Sequence, residues 1–143
     1  MTLYRHILIA TDGSELSGRA IRHGVSLAKA LHARLTAIAV IAPYTPENTA
    51  IASLRGFSAA VRKEAWHALA SFNAEARTQG VMASATSVVG GEPWKAILRT
   101  ARSRKCDLIV MASHGRSGIA GVLLGSETAK LLTHSTIPVL ICR

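Results

Sequence analysis

The stretch Leu3-Tyr4-Arg5-His6-Ile7-Leu8-Ile9-Ala10-Thr11-Asp12-Gly13-Ser14-Glu15 decides how the chain is read. Residues 3–10 form an apolar run rich in strand-forming side chains, and Asp12-Gly13 ends it with turn chemistry. A buried strand followed by a turn has this pattern. Ser14 offers a hydroxyl to the amino end of a following helix, and Glu15 puts a negative charge in its first turn. Ile21, Val25 and Ala28 then recur at helical spacing, with Leu27 and Leu31 on the same broad face.

Working outward, the same alternation continues. Residues 35–41 read as a second buried strand. Ala42-Pro43-Tyr44-Thr45-Pro46-Glu47-Asn48-Thr49 carries two prolines and several turn formers and reads as a mobile loop. Residues 57–78 are a long helical segment whose apolar face is Val61, Ala65, Ala68, Leu69 and Phe72, with Gly80 just past its end. Residues 82–89 alternate apolar and polar side chains, as an edge strand does. Gly90-Gly91-Glu92-Pro93 turns into a helix with Pro93 at its first position. Residues 107–112 are the most hydrophobic strand, 113–122 a Gly-rich loop, 125–134 a last helix and 136–142 a fifth strand. The order β-α-β-α-β-α-β-α-β predicts an α/β fold with one doubly wound parallel sheet and helices on both faces.

Composition agrees with this reading. The 143 residues suit one domain. With 49% hydrophobic and only 4% aromatic residues, the core must be built from Ala, Val, Ile and Leu, as buried parallel strands require. No apolar run reaches the roughly 18 residues that span a bilayer. The apolar start is too short for a signal peptide, and Thr11-Asp12-Gly13 stands where a cleavage site belongs, so the expected compartment is the cytoplasm. Cys106 and Cys142 form no CxxC and no metal spacing, and read as small buried hydrophobes. The net charge of +9 is dispersed; its densest group, Arg99, Arg102, Arg104 and Lys105, closes a helix, where cations complement the dipole. That places nucleic-acid binding behind the plainer reading of a solvated helix end.

Ligands of such sheets bind beyond the carboxyl ends of the strands, where the strand order reverses. Two segments fall there: Ala10-Thr11-Asp12-Gly13-Ser14, and Ala112-Ser113-His114-Gly115 followed by nine residues and Gly125-Ser126. Gly115 lets a ligand approach the backbone closely. Gly125-Ser126 opens a helix, where unpaired N–H groups and the dipole favour an anion. Ser126 and Thr128 add hydroxyls, Arg116 adds a positive charge, and Asp12 can face a ribose hydroxyl or a phosphate-bound Mg²⁺. A phosphate chain fits this set. The same glycines can also simply turn corners, and Ser126 can simply cap its own helix. The segment is neither a P-loop nor a dinucleotide fingerprint.

Four stretches together, Ile7-Leu8-Ile9-Ala10-Thr11-Asp12-Gly13-Ser14, Asp107-Leu108-Ile109-Val110-Met111-Ala112-Ser113-His114-Gly115-Arg116, Leu124-Gly125-Ser126 and Ile137-Pro138-Val139-Leu140-Ile141, resemble the universal stress protein family along essentially the whole chain. The resemblance implies a five-stranded sheet in the order 3-2-1-4-5. It also implies similarity to the ATP-binding branch, whose pattern is Gly-x-x-Gly, nine residues, then Gly-Ser or Gly-Thr. Gly115 matches the second glycine and Gly125-Ser126 the closing pair, while Ala112 replaces the first glycine. Alanine is expected to be tolerated if the backbone there is ordinary strand.

By this resemblance Ala10, Thr11 and Asp12 would line the base and ribose, and Val40 would offer backbone contacts to adenine. Gly115, Arg116, Gly125, Ser126 and Glu127 would hold the phosphates mainly through N–H groups, Glu127 through its amide. Met111, Ala112, His114 and Thr128 complete the expected nucleotide site. His114 reads first as a locally hydrogen-bonded loop residue and second as a phosphate contact or acid–base group. The expected ligand is ATP, with Mg²⁺ as a companion ion, and the expected assembly a homodimer joined through the edge strand at residues 137–142. Slow ATP hydrolysis ranks behind binding because no carboxylate or His stands as a clear general base. A member that acts through protein contacts alone is the other alternative, supported by Ala112.

Overall fold

The computed structural model describes residues 2–41, 54–115 and 124–143. The expected loop at 42–49, Arg116 and most of the Gly-rich loop lie outside the described residues. The elements are β1 (His6–Thr11), α1 (Glu15–Leu31), β2 (Arg34–Ile41), α2 (Leu54–Gln79), β3 (Ala83–Val89), α3 (Pro93–Ser103), β4 (Leu108–Ala112), α4 (Ser126–His134) and β5 (Val139–Cys142). The five strands form one sheet in the order β3-β2-β1-β4-β5, all pairs parallel. Among the described residues, no helix is long and apolar enough to cross a membrane.

Alternation along the strands divides the core into two layers. Ile7 and Ile9 of β1, Leu35, Ala37 and Ala39 of β2 and Val110 of β4 pack under α1 and α2, where Ile21, Val25, Ala28, Leu69 and Phe72 meet them. Leu8, Ile38, Ile109 and Met111 face the other way, against Ile97, Leu98 and Ala101 of α3 and Leu131 of α4. Parallel pairing therefore leaves the central strands β1 and β4 buried on both sides.

Local chemistry sets the ends of the elements. Ser14 caps α1: its hydroxyl accepts from the Ser17 N–H at 3.2 Å. His32 closes the same helix in the left-handed region, at φ 54. Gly80, at φ 67, stands just past α2. β5 begins later than the sequence pattern suggests. Ser135 holds residues 135–137 in a turn, its hydroxyl accepting from the Ile137 N–H (3.0 Å) and donating to the Ile137 carbonyl (2.7 Å). Pro138 has no N–H to give; its carbonyl accepts from Ile109 at 2.9 Å, and paired residues begin at Val139.

A polar ring closes the amino edge of the sheet, with His6 and Thr36 buried and Ser84 and Arg104 exposed. His6, 7% exposed, contacts the Arg104 carbonyl through Nδ1 (3.1 Å) and the Thr36 hydroxyl through Nε2 (2.8 Å). Thr36 pairs with the Ser84 hydroxyl at 3.0 Å, and Ser84 accepts from the Arg104 guanidinium at 3.4 Å. A carbonyl only accepts and a guanidinium only donates. In the neutral imidazole the proton therefore sits on Nδ1, and Arg104, Ser84, Thr36 and His6 donate in turn around a closed circuit. Burial and then the Arg34 charge hold the His6 pKa below its ordinary value, against the raising effect of Asp107.

Candidate functional site

β1 and β4 are neighbours, with Ile9 opposite Val110. Their carboxyl ends, Thr11 and Ala112, thus emerge side by side at the point where the strand order reverses. Asp12 follows β1 and is half-buried. Its Oδ1 accepts the Ser14 N–H at 2.9 Å, a local turn that fixes the carboxylate. Oδ2 faces Gly115. A Cβ placed on Gly115 would lie 2.5 Å from Asp12 Oδ2, so a side chain there would displace the carboxylate. This contact brings the two sequence segments into one crevice.

The far wall is the junction of β4 and α4. Ala112 is 7% exposed, paired with Cys142 and in ordinary strand conformation. The backbone condition for tolerating alanine in place of glycine is met. The Ser113 N–H donates to the Cys142 carbonyl at 2.8 Å, and the Ser113 carbonyl accepts the Gly125 N–H at 2.6 Å. A Cβ on Gly125 would come within 3.1 Å of His114 Cα and Cβ, so glycine lets the helix start close to the strand end. Gly125 makes no side-chain cap, and the N–H groups of Ser126, Glu127 and Thr128 stand in the first turn of α4 without intrahelical acceptors. With the helix dipole behind them they can hold an anion.

Several of the expected site residues make hydrogen bonds within the fold. The Gly125 N–H is engaged with Ser113, so the amides of the α4 start that lack an intrahelical acceptor begin at Ser126. The Thr128 hydroxyl, buried at 2% exposure, donates to the Ala112 carbonyl at 3.1 Å. It pins α4 to β4 and does not face the crevice as a donor. The Thr11 hydroxyl is likewise internal: it lies 3.1 Å from the Ser17 hydroxyl, 3.3 Å from the Ala68 carbonyl, and accepts from Gly13 at 3.2 Å. Met111 packs in the core beneath α3 and α4. Ala10 and Val40 share that face of the sheet and are only partly buried. Ser126 is exposed. His114 Nδ1 lies 3.2 Å from the Ser113 hydroxyl, the local arrangement expected of a loop histidine.

Glu127 does something that local sequence does not announce. Its Oε2 accepts the Trp94 N–H, the first amide of α3, at 3.0 Å. Pro93 has no N–H, and Glu92 makes no capping bond because its carboxylate is paired with Lys95 at 2.6 Å. Glu127 of α4 therefore caps α3 from across the helix interface. Its Oε1 lies 3.6 Å from Lys130 Nζ. The Trp94 ring stacks on His134 at the other end of α4, centroids 4.3 Å apart. Ser113 and Trp94 are the residues that sequence reasoning missed as parts of this region. A serine directly after the strand is a weak signal for the first, and Pro93 beside an uncapped helix start for the second.

Both cysteines are free thiols. Cys106 is buried and unpaired, and burial pushes its thiol up to about 11; burial raises Cys142 as well. Among the described residues no group of three His, Cys, Asp or Glu side chains is arranged to hold a metal ion.

A single five-stranded parallel sheet whose order reverses between β1 and β4, with the start of α4 bonded to the end of β4, defines the doubly wound α/β class. The chain belongs to the universal stress protein family, whose model matches residues 3–143. The universal stress protein YxiE of Bacillus subtilis is 35% identical over 153 aligned positions, covering 99% of this chain and all of the relative. The MJ0577 protein of Methanocaldococcus jannaschii has a similar solved structure, with TM-score 0.81, 27% identity and coverage of 98% and 96% of the two chains. A universal stress protein solved in complex with cAMP is similar at TM-score 0.73 and 29% identity, covering 98% of this chain and 97% of the other.

Proposed function

We propose that the chain binds ATP, as Mg-ATP, in the crevice at the carboxyl ends of β1 and β4, and serves in the cytoplasm as a nucleotide-dependent, dimeric signalling or protective module of the stress response. The observation that carries this reading is the close fit of Gly115 against the Asp12 carboxylate beside the first turn of α4. It leaves one edge of the crevice for a sugar and the other for phosphate. Base and ribose would lie along Ala10, Asp12 and the backbone of Val40. The amides of Ser126 and Glu127, with Gly115 and Arg116, would hold the phosphates. Thr11, Met111 and Thr128 would support the crevice from inside the fold. Mg²⁺ would arrive with the phosphates, and Asp12 is the carboxylate that would meet it. The cAMP complex of a similar protein supports an adenine nucleotide as the ligand.

Dimerisation would use the free edge of β5. Ile109 and Ser113 donate to the carbonyls of Pro138 and Cys142. Alternation therefore turns the N–H and C=O groups of Val139 and Ile141 outward, ready for another strand.

Calorimetry of the apo protein with ATP, with and without Mg²⁺, tests the reading. A one-to-one isotherm that is weakened at least tenfold by Gly125→Leu is the expected result. No heat and no thermal shift at millimolar ATP would overturn it. The second reading, a family member that works through protein contacts alone, is favoured by the inward engagement of Gly125, Thr11 and Thr128, and a silent titration would select it.

A further inference from the structure

The amino ends of α3 and α4 sit together, and one carboxylate serves between them. Each helix start carries roughly half a positive charge, and two of them side by side would draw a polyanion strongly. Glu127 offsets that attraction. Its amide belongs to the first turn of α4, while its carboxylate is held at the start of α3 by the Trp94 N–H at 3.0 Å and by Lys130 at 3.6 Å. The side chain is 34% exposed, so its field reaches the crevice only partly screened. It cannot swing away without uncapping α3, because Glu92 is paired with Lys95 and Pro93 has no N–H.

We propose that Glu127 is a charge filter for the crevice: it admits a phosphate tail of low net charge and resists a free triphosphate until a divalent cation neutralises it. The proposal rests on the nucleotide reading above. A ligand phosphate on the Ser126 and Glu127 amides would sit within about one side-chain length of the Glu127 carboxylate. At such a separation in a solvated cleft, each added negative charge weakens binding by about two- to threefold at low salt. Free ATP carries about two more charges than AMP, which predicts a discrimination of about fivefold. Metal-bound ATP sheds most of that difference.

Glu127→Gln separates the charge from the cap, because the amide carbonyl of glutamine can still accept the Trp94 N–H. Dissociation constants for AMP and ATP would be measured at low salt with chelator, then for ATP with Mg²⁺. In E127Q the ratio of the ATP to the AMP constant should fall about fivefold relative to the unsubstituted protein, and the gain in ATP affinity from Mg²⁺ should shrink by a similar factor. Lys130→Met should move the ratio the opposite way, because it removes the cation that screens Glu127. This second variant decides the matter should E127Q fail to fold. Nucleotide binding with ratios unchanged by both substitutions would overturn the filter and leave Glu127 as a helix cap. Failure of every nucleotide to bind the unsubstituted protein would instead overturn the nucleotide reading, and the filter with it.

Discussion

His6 is a buried titratable side chain whose neutral form is favoured by burial and by the Arg34 charge. Protonation would put a second N–H against the Thr36 hydroxyl and reverse the donors at Thr36 and Ser84, beside the Arg34 and Arg104 charges that already oppose it. The folded pKa lies below the unfolded value of 6.5, so between the two the unfolded chain binds more protons. Stability is then fully present above pH 6.5 and is lost as the pH falls through the folded pKa. Urea midpoints measured from pH 7.5 to pH 5 should drop more steeply for the unsubstituted protein than for His6→Gln; parallel curves would show that His6 does not carry the effect. The same scale explains why glycine stands at 115 and 125. The neighbour at one is a carboxylate oxygen and at the other the backbone of His114, so neither site has room for a side chain without moving the crevice wall.

At the scale of elements, α4 is located by bonds from its first turn rather than by burial, for only Thr128 and Leu131 are buried along it. The Thr128 hydroxyl and the Gly125 amide tie it to the end of β4, and Glu127 ties it to α3. Thr128→Val keeps the shape and removes a buried donor, leaving the Ala112 carbonyl short of a partner. It should lower stability by about 1–2 kcal/mol, read from chemical denaturation. A cost near zero would mean that the carbonyl is satisfied otherwise. These elements were legible in sequence to different depths. The runs around Ile7-Leu8-Ile9 and Leu108-Ile109-Val110 declare buried strands because every side chain is apolar, and Ser14 and Pro93 mark helix starts by local chemistry. The partners of Thr128, Glu127 and Trp94 lie 16 or 33 positions away and leave no local trace. The late start of β5 depends on a serine side chain folding back on its own backbone, which hydrophobic pattern does not record. The close approach of Asp12 to Gly115 follows from the neighbouring of β1 and β4. Alternation of elements alone does not fix that neighbouring; the family resemblance implied it and the strand order bears it out.

For the whole molecule, helices cover the faces of the sheet, and among the described residues β3 and β5 are its edge strands. The proposed dimer uses β5, where Ile141 directs its N–H outward. Ile141→Pro removes that donor and leaves the ladder to β4, which uses the alternate residues, in place. Sedimentation should show the variant shifted to monomer with its circular dichroism unchanged. A dimer that persists would place the interface elsewhere. The two ends of the sheet differ, with a polar circuit anchored on buried His6 and Thr36 at the amino edge and the proposed nucleotide crevice at the carboxyl edge. The two tryptophans of the chain differ as sharply. Trp66 is 67% exposed on α2, whereas Trp94 is clasped by α4 and its indole N–H is buried with no hydrogen-bond partner among the described residues. The protein therefore carries its own optical reporter. With Trp66 replaced by phenylalanine, the remaining emission would be blue and shielded from aqueous quenchers, and it would redden at the moment α3 and α4 part company.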